Sequence, residues 1–305
     1  MMSQAETSLH VYQREIPPAF KVDDSLSVIA RMVTPGHTLL DLGMGAGGLG
    51  KYLSQRQAIT ADGVTLNPHE ADIARAWYRQ ALVADLDVDD LGNLFGDKRY
   101  DFIVCADVLE HLKRPQRVLD QCRHLLKPGG KLLTSVPNAG YCGLIAELIQ
   151  GEFRYRSEGL LDETHLRFFT RASLQRFFSE SGWATSNVQI IQRSLDASEF
   201  RGDFDSLPPS VARHLLAMPD ALTYQFISVL QPVSATVEGA ATEGQFSRLV
   251  NGTQQAAFSA QLYLAVGNAY SESRKLVVAG RIGDPRQTLA FDIDPSQAPY
   301  TAIRL

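Results

Sequence analysis

The chain has 305 residues, 45% hydrophobic and 21% charged, enough length for two domains and enough apolar content for a packed core, which excludes wholesale disorder. A formal net charge of −5 weighs against a protein built to grip nucleic-acid phosphates. Cys105, Cys122 and Cys142 form no CxxC pair, the N-terminus lacks a basic-then-apolar run, and no stretch reaches the ~20 apolar residues of a membrane span. The expectation is a soluble, cytoplasmic chain with no disulfide framework.

From about residue 26 strand-like and helix-like runs alternate, the pattern of a parallel sheet with crossover helices. Residues 38–42 read as a first strand that ends in the cluster Gly43-Met44-Gly45-Ala46-Gly47-Gly48, with a helix carrying Leu49, Tyr52 and Leu53 behind it. Residues 59–66 read as a second strand. A helix follows, with Asn67 as N-cap, Pro68 at its first position and Glu70 placed to close a capping box. Residues 81–84 form a third strand tipped by Asp85, and residues 100–106 a fourth. The helix from Pro115 carries Val118, Cys122 and Leu125 on one face and stops at Lys127-Pro128-Gly129-Gly130. Residues 131–136 are a fifth strand. Thr170 caps a helix with Leu174, Phe177 and Phe178 that ends at Gly182, and residues 188–192 and 224–229 are two late strands, expected as an antiparallel edge pair.

This reading gives one domain over residues 1–232, a linker over 233–244 rich in Ala, Thr, Gly and Glu, and a small β-rich segment over 245–305. Strands are expected there at 258–266, 287–293 and 301–305. The chain stops inside its last strand-like run, which reads either as the start of a further domain of a longer polypeptide or as a terminal edge strand.

The alternating glycines Gly43, Gly45 and Gly47 let a ligand approach the backbone ahead of a helix N-terminus. Gly43-x-Gly45-x-x-Gly48 also satisfies the dinucleotide fingerprint, but that reading needs an acidic residue at the end of the second strand, where the sequence has Thr65-Leu66. The order of motifs discriminates. Asp41-Leu42-Gly43-Met44-Gly45-Ala46-Gly47, then Asp85, then residues 100–112 ending Asp107-Val108-Leu109-Glu110-His111-Leu112, then Leu126-Lys127-Pro128-Gly129-Gly130 closely resembles the class I S-adenosylmethionine-dependent methyltransferases. The resemblance covers about residues 26–232. Through His165-Leu166-Arg167-Phe168-Phe169-Thr170 and Ser181-Gly182-Trp183 it extends to their small-molecule O-methyltransferase branch.

That resemblance implies an α/β, Rossmann-like, seven-stranded sheet with S-adenosylmethionine at the carboxyl ends of its strands. It implies that Gly43, Gly45 and Gly47 line the methionine moiety, with Asp41 organising its amino end. Asp85 would accept from the adenine amino group, Leu86 would pack on the ring, and Asp107 and Val108 would form the floor facing the methyl group. The family usually carries a carboxylate at Thr65, where threonine offers one hydroxyl and no charge; Asn67 and Asp62 are the candidate substitutes for the ribose contact.

A hydroxyl acceptor must be aligned and lose its proton, work suited to an imidazole. The candidates are His165 and His111, both on segments expected at the reactive end. Residues 138–167 form a long insert, which the resemblance implies lies over the acceptor, where Phe153-Arg154-Tyr155-Arg156 would suit a sugar or phosphorylated acceptor. No histidine–carboxylate group has metal-ligand spacing along the chain, so no metal is expected. The resulting reading is a methyltransferase acting on a small-molecule or glycan hydroxyl; the alternative is a non-catalytic module of the same fold in a larger glycan-assembling polypeptide.

Overall fold

The structure is a computed structural model that describes residues 15–16 and 24–233, together with the backbone of residues 257–266, 269–281 and 302–304. The chain divides into two compact units, Met1–Ser247 and Arg248–Leu305. The first contains α1 (Ser25–Met32), β1 (Thr38–Leu42), α2 (Gly48–Gln57), β2 (Thr60–Thr65), α3 (Pro68–Ala74), β3 (Gln80–Val83), α4 (Leu91–Phe95), β4 (Tyr100–Ala106), α5 (Pro115–Leu125), β5 (Leu126–Pro137), α6 (Cys142–Ile149), α7 (Arg171–Glu180), β6 (Trp183–Gln192), α8 (Arg201–Asp205), α9 (Pro209–Ala217) and β7 (Thr223–Pro232). Its seven strands run in the order β3-β2-β1-β4-β5-β7-β6. β1 to β5 are parallel, and β7 is antiparallel to both β5 and β6. Strands such as Tyr100–Ala106, apolar at nearly every position, are what a sheet covered on both faces requires.

Two strand starts and one helix cap differ from the sequence reading. β5 begins at Leu126 rather than Lys131: α5 ends at Leu125, and the Lys-Pro-Gly-Gly segment joins the sheet beside β4 through a register shift, with Gly129 at φ +78°. β6 starts at Trp183, and the strand that ends the chain's antiparallel pair, β7, is an interior strand, leaving β6 at the edge. The expected capping box on α3 is half formed. Asn67 accepts from the His69 amide at 2.9 Å, whereas Glu70 turns to Thr65, whose hydroxyl donates to it at 2.6 Å.

In the second unit, β8 (Ala257–Val266), β9 (Ala269–Arg281) and β10 (Ala302–Arg304) form a three-stranded sheet in the order β10-β8-β9. The strand expected at 287–293 and the linker at 233–244 lie outside the described residues, apart from Val233. β9, antiparallel to β8, was not expected; Gly267-Asn268 between two β-rich runs is the hairpin signal that marks it.

Tyr78 ties the first turn of the sheet together. Its buried hydroxyl donates to Asp41 Oδ2 at 2.5 Å and accepts from the Gly50 amide at 3.0 Å. Its ring occupies the space that side chains at Gly47, Gly50 and Gly63 would need; a Cβ on Gly50 would lie 2.2 Å from Tyr78 Cε2. Burial pushes the Asp41 carboxyl up to about 6, and the hydrogen bond from Tyr78 opposes that shift. A second buried carboxylate, Asp62 on β2, accepts from Arg79 at 2.5 and 3.0 Å, Lys98 at 3.2 Å and the Tyr100 hydroxyl at 2.6 Å. Burial alone would raise it, but these hydrogen bonds together hold it below the ordinary 3.8.

The insert between β5 and α7 is a packed helical layer. Tyr141, Leu144, Leu160, Leu161, Phe200 and Tyr224 form one buried cluster, and Cys142, Ala146, Phe204, Leu207, Leu215 and Ala221 form another. The segment thus carries its own small core, contributed jointly with α8 and α9.

Two measurements test these supports. Gly→Ala inside a helix ordinarily gains ~0.8–1.0 kcal/mol. Gly50→Ala is expected instead to cost about 1–3 kcal/mol by overpacking against Tyr78, and urea midpoints that rise with this variant would refute the packing argument. Asp62→Asn removes the charge that Arg79 and Lys98 complete, at a cost of about 1.5–3 kcal/mol near pH 7. Because the folded carboxyl titrates below its unfolded value, that stabilisation is present above 3.8 and lost as pH falls through the folded pKa. The difference between wild type and Asp62→Asn in urea titrations should therefore shrink below about pH 4.

Candidate active site

The sheet order reverses direction between β1 and β4, and the crevice beyond the carboxyl ends of such strands is where open α/β sheets bind ligands. Gly43, Gly45 and Gly47 in the β1–α2 loop have φ of +79°, +52° and +89°, a left-handed run that side chains rarely adopt. The Gly43 and Met44 amides both donate to the Val64 carbonyl at 2.9 Å, holding the loop against β2. A Cβ on Gly43 would lie 2.5 Å from Val108 Cγ2, so the loop and the residues after β4 touch only because Gly43 has no side chain.

Asp107, at the tip of β4, also sits at positive φ, +55°. For a non-glycine residue that conformation is strained, and it persists because its surroundings over-determine it. Its amide donates to Ser135 O and Oγ, and its carboxylate accepts from Ser135 Oγ at 2.7 Å and from Gln225 Nε2. Asp41, by contrast, is buried beneath the loop with Oδ2 bound by Tyr78.

At the end of β2 one sequence-derived substitute for a carboxylate, Asp62, is engaged elsewhere, whereas Asn67 keeps a buried Nδ2 with no hydrogen-bond partner among the described residues. Asp62 faces Arg79, Lys98 and Tyr100, and the Asn67 side chain caps α3. The carboxylate next to Thr65 belongs to Glu70, 5% exposed, which had been read only as a capping residue. The five-residue step from Thr65 to Glu70 across a helix start is the sequence signal that could have found it. Leu66, 70% exposed, and Val83, also exposed, add apolar surface at the same strand ends. Asp85 is half-buried and its Oδ1 accepts from the Asp87 amide at 2.8 Å, while Leu86 is buried in the core.

The two candidate bases come together. The amides of Leu166 and Arg167 both donate to the Glu110 carbonyl, at 2.8 and 2.9 Å, which joins the segment after β4 to the segment before α7. The His111 and His165 rings are then 4.7 Å apart and inclined by 68°. His165 Nδ1 lies 3.1 Å from the Leu160 carbonyl, an acceptor only, so Nδ1 carries the proton and Nε2 the lone pair. His111 Nδ1 faces Thr164, 2.9 Å from its hydroxyl and 3.3 Å from its carbonyl, and that hydroxyl in turn donates to Asp162 at 2.5 Å. The same tautomer follows. Burial, then the neighbouring charge of His165, holds the His111 imidazole below its usual pKa.

The expectation of no metal rested on spacing along the chain. The fold nevertheless brings one ligand-type atom from each of Glu110, His111 and His165 within 4.8 Å of the others. The two arginines expected to read a sugar or phosphate are otherwise engaged. Arg156 pairs with the buried Glu147 and stacks over Phe200 at 4.6 Å, and Arg154 pairs with Asp203 at 2.9 Å. What stays exposed is aromatic: Phe153 contacts Tyr155 and Phe168 edge-on, at 5.3 and 5.7 Å between centroids, and Phe168 reaches His165 at 6.3 Å.

The chain is similar to known proteins. A family model described as a methyltransferase domain matches residues 12–188, more than half of the chain. The ubiquinone biosynthesis O-methyltransferase of Coxiella burnetii is 33% identical over 131 residues, 42% of this chain and 56% of that protein, and the Xylella fastidiosa protein of the same name is 30% identical over 129 residues, 41% and 52%. The chain thus spans about half the length of the curated relatives it matches. Among solved structures, the 1,6-didemethyltoxoflavin-N1-methyltransferase of Burkholderia thailandensis, with bound 1,6-didemethyltoxoflavin and S-adenosylhomocysteine, is 16% identical, with a TM-score of 0.45, over 70% of this chain and 80% of that one. That likeness has no bearing on activity. The family match, over the residues that carry the glycine loop, Asp85, the β4 tip and the histidine pair, settles the kinship: the chain belongs to the methyltransferase-domain family, the class I S-adenosylmethionine-dependent methyltransferases.

Proposed function

We propose that the protein transfers a methyl group from S-adenosylmethionine to a hydroxyl of a small molecule whose planar, apolar body lies on the Phe153–Phe168 rings. The observation that carries this reading is the continuous run of rings from the exposed Phe153 and Phe168 to the His165–His111 pair. An aromatic rim ending in two imidazoles suits an acceptor with an apolar face and a proton to lose. The O-methyltransferase names of the sequence relatives agree in chemistry.

The residues fit the cofactor. Gly43, Gly45 and Gly47 leave the loop backbone open at conformations only glycine holds easily, and Glu70 with Thr65 offers a carboxylate and a hydroxyl for a ribose. Asp85, with Oδ1 engaged in its own turn, keeps a second carboxylate oxygen for an exocyclic amine, and Leu86 and Leu66 are the apolar neighbours of that position. Asp107 and Val108 are the floor beside Gly43, and Asp41 acts from beneath by fixing the loop through Tyr78. When bound, the cofactor supplies an electrophilic methyl on a sulfonium. The chain's own work is to align the hydroxyl, exclude water around the aromatic rim, and receive the hydroxyl proton at the Nε2 lone pair of His165 or His111. With Glu70 next to Thr65, a threonine at position 65 is no argument for a non-catalytic module.

Glu70→Ala is expected to weaken S-adenosylhomocysteine binding about 10- to 100-fold, the worth of a charged hydrogen bond. Thr65→Asp should fail to tighten binding, because it sets a second carboxylate against Glu70. Calorimetric titration measures both; normal binding by Glu70→Ala would sink the ribose assignment. His165→Ala and His111→Ala should lower single-turnover methylation of a phenolic acceptor by about 10²–10⁴-fold in whichever ring takes the proton, with cofactor affinity nearly unchanged. Full rates in both variants would mean that the pair has no part in activating the acceptor.

A further inference from the structure

A cavity of about 310 Å³ lies at the end of the sheet opposite the glycine loop. β6 runs parallel to β5, because β7 is antiparallel to both, so Trp183 at its start marks the amino-terminal end of the sheet, where α5 and α7 also finish. Asp120 and Arg123 of α5 line the cavity together with Phe177, Glu180 and Ser181 at the end of α7. Arg123 is used only in part by the local fold. Among the described residues its hydrogen bonds all leave from Nη2, to the Ser181 carbonyl and, at 3.3 Å, to Asp120. Its Nε is buried and finds no partner, and the hydroxyl of Ser181, a residue 8% exposed, is likewise unpaired. Trp183, whose ring lies 5.8 Å from the guanidinium carbon, carries a third buried donor without a partner, Nε1. Gly182, at φ +71°, makes room for the arginine, since a Cβ there would lie 2.9 Å from Nη2. Buried donors in native proteins are nearly always satisfied, so orphans grouped beside a cavity point to an acceptor that the chain itself does not supply.

The charges around the cavity narrow what that acceptor belongs to. Arg123 is the single cation of the lining, while Asp120 and Glu180 are exposed carboxylates at its edge. A simple anion would meet two like charges there, and a simple diamine would meet the guanidinium. The last carbonyls of α7, beside Glu180, add negative potential at the same place. We infer that the cavity is a binding site, separate from the methyl-transfer site, for a free amino acid with a basic side chain. Its carboxylate accepts from Arg123 and the Ser181 hydroxyl, its two cationic groups pair with Asp120 and Glu180, and its methylene stem lies along Phe177. What the ligand displaces is weak. The Arg123–Asp120 pair is 3.3 Å long with the Asp120 side chain 64% exposed, and each partner exchanges it for a charge-assisted hydrogen bond to the ligand. The cavity stands at the lower end of the ~300–1,000 Å³ of small-molecule pockets, which suits an amino acid and is too small for a nucleotide or a peptide. No residue is shared with the glycine loop or the histidine pair, so the inference stands apart from the methyl-transfer reading.

The test titrates L-lysine into the full 305-residue chain by calorimetry, with urea midpoints measured on the same samples. One saturable site with a Kd of about 1 mM or tighter is expected. Cadaverine, which lacks the carboxylate, and norleucine, which lacks the side-chain ammonium, should each bind about 10-fold more weakly or not at all. Arg123→Met should abolish binding, but it also removes the bond to the Ser181 carbonyl, so two milder variants decide the matter. Ser181→Ala should weaken lysine ~10-fold while the midpoint of the free protein stays level or rises, because the variant deletes a donor that has no partner. Glu180→Gln should weaken lysine ~3-fold at an unchanged midpoint. No saturable lysine binding up to about 20 mM overturns the site. So do unchanged lysine affinity in both variants, which places the ligand elsewhere on the chain, and cadaverine bound as tightly as lysine, which leaves Arg123 no part in it. Inorganic phosphate bound where lysine is not makes this an anion site and overturns the inference as well. A fall in the Ser181→Ala midpoint shows that the hydroxyl serves the fold and overturns its assignment to a ligand.

Discussion

The hydrogen bond from the Tyr78 hydroxyl to the buried Asp41 is the contact on which the site depends. Asp41 is the penultimate residue of β1, Tyr78 follows α3, and the Gly50 amide that completes the pair belongs to α2, so one phenol joins three elements at the base of the glycine loop. Three glycines, Gly47, Gly50 and Gly63, leave room for its ring. The loop's left-handed backbone is thus held from below, and the strain in Asp107 opposite is held by Ser135 and Gln225. A loop preorganised in this way need not be ordered by its ligand, which is where affinity is otherwise lost.

A second constraint works between the segment after β4 and the segment before α7. Residues 110 and 166–167 are far apart in sequence, and a single carbonyl, Glu110 O, accepts both the Leu166 and Arg167 amides. That clamp sets the two histidines edge to face. It also leaves Leu166 and Phe168 exposed beside Phe153 and Tyr155, so polar and apolar parts of the corner are fixed by the same backbone contact. The arginines of the insert serve its own fold, neutralising Glu147 and Asp203, which a charge of that depth demands.

Much was legible in the chain itself. The alternation of apolar strands with helices, the glycine loop after β1 and the order of motifs are local patterns, set by periodicity and by residues that only certain backbone conformations accept, and they determined the sheet and the family. What the tertiary structure decided depends on approach between distant segments. Sequence spacing made Asp62 and Asn67 the substitutes for a missing carboxylate, but side-chain direction gave Asp62 to Arg79 and Tyr100 and brought Glu70 to Thr65. It likewise showed no metal-like cluster, because Glu110 and His165 meet only through backbone hydrogen bonds between loops. Periodicity reports which face of an element is buried; it carries no information on which polar atoms the folded chain sets against each other, and the chemistry of this site lies in those pairings.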